Sequence, residues 1–122
     1  VANKWSIKEE VGHLWDLEPL WLARMHDILS GREDLTVADL TNRKTHEAGH
    51  NERRLGVLMQ AFELERGKLL SLLRVGTEAD GLKAAKHPRL GTPMTLMDLA
   101  YFVAEHDDHH LARIQAILKS TI

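Results

Sequence analysis

Apolar residues recur every three or four positions in three long stretches of this chain, and nowhere does a period of two run long enough to suggest a strand. In the first stretch Ile7, Val11, Leu14, Trp21, Met25 and Leu29 follow helical spacing. Ser6 with Glu9 three residues on reads as a capping box, and Gly31 as the stop. Pro19 falls inside and predicts a kink, because it has no N–H to give the Trp15 carbonyl and crowds it. The second stretch runs from about Glu52 to Arg74, with Leu55, Leu58, Met59, Phe62, Leu69 and Leu73 as its stripe and Gly76 as its stop. The third runs from about Thr95 to Leu118, with Pro93 before it and Thr95 and Asp98 as a second capping box.

Between the first two, Thr36 to Asn51 predicts a shorter helix, weakened by Gly49 and a dense polar run. Val75 to Met94 reads as loop, since "GTEADG" and "HPRLGTP" are rich in turn residues. The expected fold class is all-α, a helical bundle forming one domain over residues 1–122.

Composition narrows the function more than the fold. A formal net charge of −2 offers no surface for a polyanion, so nucleic acid is not an expected partner. No apolar run is long enough to span a bilayer and no signal peptide is evident, so no membrane association is expected. The absence of cysteine excludes disulfides, thiolate metal sites and a cysteine nucleophile, and suits a cytoplasmic location. The unusual count is eight histidines, the commonest metal ligand.

Two histidine pairs compete. His106 and His110 lie within roughly 60° of Leu99 at 100° per residue, as do Val103, Ile114 and Ile117, so both imidazoles stand in the apolar stripe. His109 falls to the side. Two interior imidazoles one turn apart are costly unless their nitrogens are satisfied, and their spacing lets both reach one ion. The rival is His46-Glu47-x-x-His50, the zinc-protease pattern on a helix. Charged neighbours crowd that pair, and no strand or third ligand supports it, so it ranks below.

A functional metal usually has three protein ligands. His13, at the edge of the first apolar arc, faces a helix seam and is the best third; His26 and His87 are weaker choices. Glu18 and Arg66 also fall on apolar stripes. They either pair with each other or line a cavity beside the metal, Glu18 as a base and Arg66 holding an anionic group. Asp16, Asp107 and Asp108 are candidates to orient a ligand imidazole.

Three segments, "KWSIKEEVGHLWDLEPLWLARM", "HPRLGTPM" and "DLAYFVAEHDDHHLARI", resemble the DinB-like superfamily, which includes the YfiT-type metal-dependent proteins. The resemblance spans Lys4 to about Ile117. It implies a four-helix bundle with up-down-down-up connections and a divalent ion, zinc or nickel, on three histidines: His13, His106 and His110 here. It also implies a metal-dependent hydrolase or a transferase of a low-molecular-weight thiol, acting on a small molecule. The resemblance implies a further helix before the segment starting near Trp5, so a chain starting at Val1 is expected to be either a fragment without that helix or a bundle completed otherwise. A homodimer covering Ile7, Leu14 and Trp21 is the expected remedy. The non-enzymatic alternative is a bundle in which the ion only staples helices together.

Overall fold

The computed structural model describes residues 4–121. Three long helices dominate: α1 (Ile7–Leu29), α3 (Leu55–Val75) and α5 (Leu96–Ser120). Short helices α2 (Arg43–Glu47) and α4 (Glu78–Leu82) sit in the connections. A hairpin of β1 (Ala84–Lys86) and β2 (Pro93–Thr95) leads into α5, pairing Ala84 with Thr95 and Lys86 with Pro93.

Both expected capping boxes form: Ser6 with Glu9 opens α1, and Thr95 with Asp98 opens α5. Each satisfies two backbone donors that a helix start otherwise leaves bare. Gly31 takes the left-handed conformation just past α1, as its position as a stop signal implied. Pro19 does not divide α1, which continues through it as one element to Leu29.

Two expectations need correction. The helix expected over Thr36 to Asn51 shrinks to α2 and a 3-10 turn at His50–Glu52, separated by Gly49 at φ 68°. The loop from Val75 to Met94 contains α4, capped by Thr77 and Asp80, and the two strands. Strands of three residues are too short to show a period in the sequence. Leu14 and Trp21 are only 6% and 4% exposed within the single chain. Ile7, the third residue of the stripe that motivated a homodimer, is half-buried.

The covering follows from α1 being central: both α3 and α5 pack against it. Trp21, Met25, Ile28, Leu69, Leu99 and Val103 form the core with Leu35, Ala85 and Leu96. Burying side chains of this size stabilises by roughly 1.5–3 kcal/mol each. Leu35 reaches the core because its N–H donates to the Lys86 carbonyl (2.9 Å), tying the segment after α1 to the hairpin. No helix among the described residues is long and apolar enough to cross a membrane.

A central helix should be apolar on most sides, yet α1 also buries Glu10, His13, Asp16, Glu18, Arg24 and Asp27. Buried polar groups are retained only with partners, so each of these needs one.

Candidate metal centre

His13 on α1 meets His106 and His110 on α5. Ring centroids are 4.6 Å apart for His13–His110, 5.5 Å for His13–His106 and 4.5 Å for His106–His110. One nitrogen from each ring lies within 4.8 Å of the others. His13 and His110 are 3% and 5% exposed, and His106 is half-buried. Residues 106 and 110 share a face because four residues make slightly more than one turn. Trp5 flanks the trio, 4.7 Å from His13 and stacked 6.1 Å from His110, while Trp21 stands 5.4 Å from His106.

Neighbours fix which nitrogen each ring presents. Thr45 donates its hydroxyl to Asp16 Oδ2 (2.8 Å), because a carboxylate can only accept. The same hydroxyl oxygen, 3.0 Å from His13 Nδ1, must then accept from it. His13 therefore carries its proton on Nδ1 and leaves Nε2 with a free lone pair. His110 Nδ1 lies 2.6 Å from Glu10 Oε2 and donates to it, which frees its Nε2 likewise. Glu10 is 1% exposed, and its other oxygen is 2.8 Å from Arg113 Nε. His106 Nδ1 is buried with no partner among the described residues. Two imidazoles held with Nε2 bare, beside a third that has an orphaned nitrogen, form a donor set that fits a cation.

Burial, with His110 and His106 adding repulsion, lowers the pKa of His13 to about 3. Burial first, and then His110, lowers that of His106 to about 4. Both rings are neutral at pH 7, the form that ligates.

Asp16 has a second partner. His50 Nε2 lies 2.8 Å from the same Oδ2, and the His50 ring is fully enclosed against Gly12. A chain of buried groups thus runs from His13 through Thr45 and Asp16 to His50. This settles the His46-Glu47-x-x-His50 pattern: α2 ends at Glu47 and Gly49 turns the backbone, so His46 and Glu47 are exposed while His50 points into the core. The two histidines are not one turn apart on a helix, and the protease geometry is absent.

Glu18 and Arg66 take the plainer of their two expected roles. Arg66 donates to Glu18 Oε1 from Nε (3.0 Å) and Nη2 (2.6 Å), and to Asp107 through Nη1 (2.7 Å) and Nη2 (3.0 Å). Burial opposes the charge, but the bonds to Asp107 and Glu18 outweigh it and hold the Arg66 pKa above its ordinary value. Neither residue borders the cleft described next. Glu18 is thus not placed to act as a base there, nor Arg66 to hold a ligand; the triad ties α1, α3 and α5 together. Asp107 is consumed by it, and Asp108 is exposed.

The trio opens into a cleft of about 810 Å³ between α1 and α5. Leu17, Leu20, Trp21 and Phe102 supply apolar wall, and residues 37–40 and 87–89 form its lips. Such a volume suits a small molecule.

Sequence reasoning missed Glu10, Thr45 and Trp5, and it placed His50 in a metal pair rather than on Asp16. Glu10 was detectable, since it lies one turn before Leu14 on the apolar arc. Thr45 and His50 carried no such signal, because the segment holding them is not one regular helix.

The family model of the DinB superfamily matches residues 1–114. Among solved structures the chain is similar to YfiT from Bacillus subtilis, at 20% identity and a TM-score of 0.76, over 99% of this chain and 69% of that one. That protein is described as a probable metal-dependent hydrolase with an unusual four-helix bundle topology. No curated protein matches the chain.

Proposed function

The chain belongs to the DinB superfamily, and on that premise we propose that it is a metal-dependent enzyme whose divalent ion, zinc or nickel, is held by His13, His106 and His110. The observation that carries this reading is the convergence of three imidazoles from two helices, with their ligating nitrogens within 4.8 Å, at the wall of an open cleft. The ion would polarise a bound group or lower the pKa of a bound water or thiol toward neutrality. That chemistry serves hydrolysis of a small molecule, or transfer of a low-molecular-weight thiol to an electrophile. The similarity to YfiT, described as a probable metal-dependent hydrolase, supports the first.

The chain's own residues supply positioning. Thr45 and Glu10 hold two of the imidazoles in the ligating tautomer. Trp5 and Trp21 flank the trio and line the cleft beside it. A purely structural ion joining α1 to α5 is the second reading, favoured by the trio's bridging of those two helices.

Metal analysis of untagged protein tests the site. The expected result is one equivalent of divalent metal in the wild type and in His46→Ala, and loss in His106→Ala and His110→Ala. Metal retained in His106→Ala and His110→Ala but lost in His46→Ala would reject this site. Exchange of an exogenous ligand at the bound ion separates an open, reactive centre from a closed structural one.

A further inference from the structure

The cleft that holds neutral imidazoles at one end is cationic at the other. Arg24, three turns beyond His13 on α1, is only 3% exposed and yet borders the cleft. Its Nε donates to the Thr36 carbonyl (2.9 Å), and its two terminal nitrogens have no hydrogen-bond partner among the described residues. Among the described residues no carboxylate forms an ion pair with it, and Asp39, which also lines the cleft, accepts instead from Thr41 and the Arg43 N–H. The acid that acts on it, Asp27, has its Oδ2 taken by the Thr36 N–H and hydroxyl, at 2.6 Å each. A buried guanidinium left this way carries a desolvation cost that a bound anion would offset. Arg66, by contrast, is held by two carboxylates.

His87 borders the same end. Its Nδ1 accepts from the backbone N–H groups of Arg89 and Leu90 (3.2 Å each), so its proton sits on Nε2 and can be donated. Gly91, at φ 70°, closes the turn that holds this arrangement, and its N–H donates to the His87 carbonyl (2.8 Å). Trp21 stands between the two ends: its ring is 5.4 Å from that of His106 and 5.9 Å from the Arg24 guanidinium. One small molecule can therefore touch both.

We propose that Arg24 and His87 form a subsite for the anionic end of the substrate, a carboxylate or phosphate carried on an apolar body that lies along Trp21 and Phe102. The planar fork of Arg24 suits either oxyanion. That the other end of the molecule meets a metal rests on the function proposed above; the anion subsite does not.

The test uses the full chain stripped of metal, with tryptophan fluorescence as the signal. The probes are 4-phenylbutyrate, its neutral amide and phenyl phosphate. At least one of the two acids should bind tenfold or more tightly than the amide, and the tighter of them names the preferred group. Arg24→Met should bring the acid within about twofold of the amide. Its melting temperature should hold or rise, since an unpaired buried charge has been replaced by an apolar chain. His87→Leu, in a surface turn, should weaken the acid severalfold without touching the helix core. Equal binding of acid and amide to the wild type overturns the proposal, as does an undiminished preference in both variants. His106→Ala separates the two readings. It should lose zinc and keep the acid preference; losing that preference would place the anion at the histidines and reject the subsite.

Discussion

A methyl group added at Gly12 would meet the His50 ring at 2.3 Å from Cδ2 and Cγ and 2.6 Å from Nδ1. Ordinary carbon contacts fall at about 3.5–4.0 Å, so the ring would have to retreat by more than ~1 Å. It has nowhere to go: its side chain is 0% exposed, and Nε2 is held 2.8 Å from Asp16. Three magnitudes compete. Alanine in place of a mid-helix glycine gains about 1 kcal/mol. Overpacking costs about 1–3 kcal/mol. Pulling His50 off Asp16 leaves buried polar groups unpaired, for about 1–3 kcal/mol more. The costs win, and Gly12→Ala should lose about 3 kcal/mol, a melting temperature lower by roughly 10 °C in a domain of this size. Gly67, inside α3 with nothing within 4 Å of its Cβ position, is the control. Gly67→Ala keeps the propensity gain alone and should stabilise by about 1 kcal/mol. Urea melts followed by circular dichroism measure both. Because Asp16 also holds Thr45, and Thr45 holds His13, the first variant should bind zinc more weakly and the second should not. If Gly12→Ala proves as stable as Gly67→Ala, the tight seat of His50 is wrong, and with it the buried chain behind His13.

Three further outcomes follow from the same geometry. In metal-free protein, His13 and His106 titrate near 3 and 4 when folded but near 6.5 when unfolded, so the unfolded state takes up protons first as pH falls below about 6.5. Each should cost about 2 kcal/mol by pH 5, and urea melts at pH 7 and pH 5 should show that loss shrinking in a His13→Asn/His106→Asn double variant. Thr45→Val removes the acceptor that fixes the His13 tautomer and should weaken zinc binding about 10–100-fold in a competitive chelator titration, with an unchanged value counting against the assigned role. Arg66→Met leaves Glu18 and Asp107 without their shared cation and should destabilise by about 3–5 kcal/mol, whereas replacing all three by apolar residues should recover most of it.

The long helices were legible because each writes its own address in the chain. Ser6 with Glu9 and Thr95 with Asp98 mark starts by local hydrogen bonds, and the stripe from Leu99 to Ile114 marks an inner face. The same local rule put His106 and His110 inside, since angular position on a helix needs no knowledge of its neighbours. The roles of Glu18 and Arg66 were not local: the sequence made both buried, and only the packing of α1, α3 and α5 made them partners rather than pocket residues. His50 shows the limit most clearly. The local pattern His-Glu-x-x-His suggested a metal pair, but one left-handed turn at Gly49 sent the second histidine to Asp16 instead. By itself, then, the sequence determined which helix faces turn inward and two of the three converging imidazoles. Tertiary structure decided what each buried polar group meets there, because a hydrogen bond or ion pair is satisfied by whatever another part of the chain brings within about 3 Å.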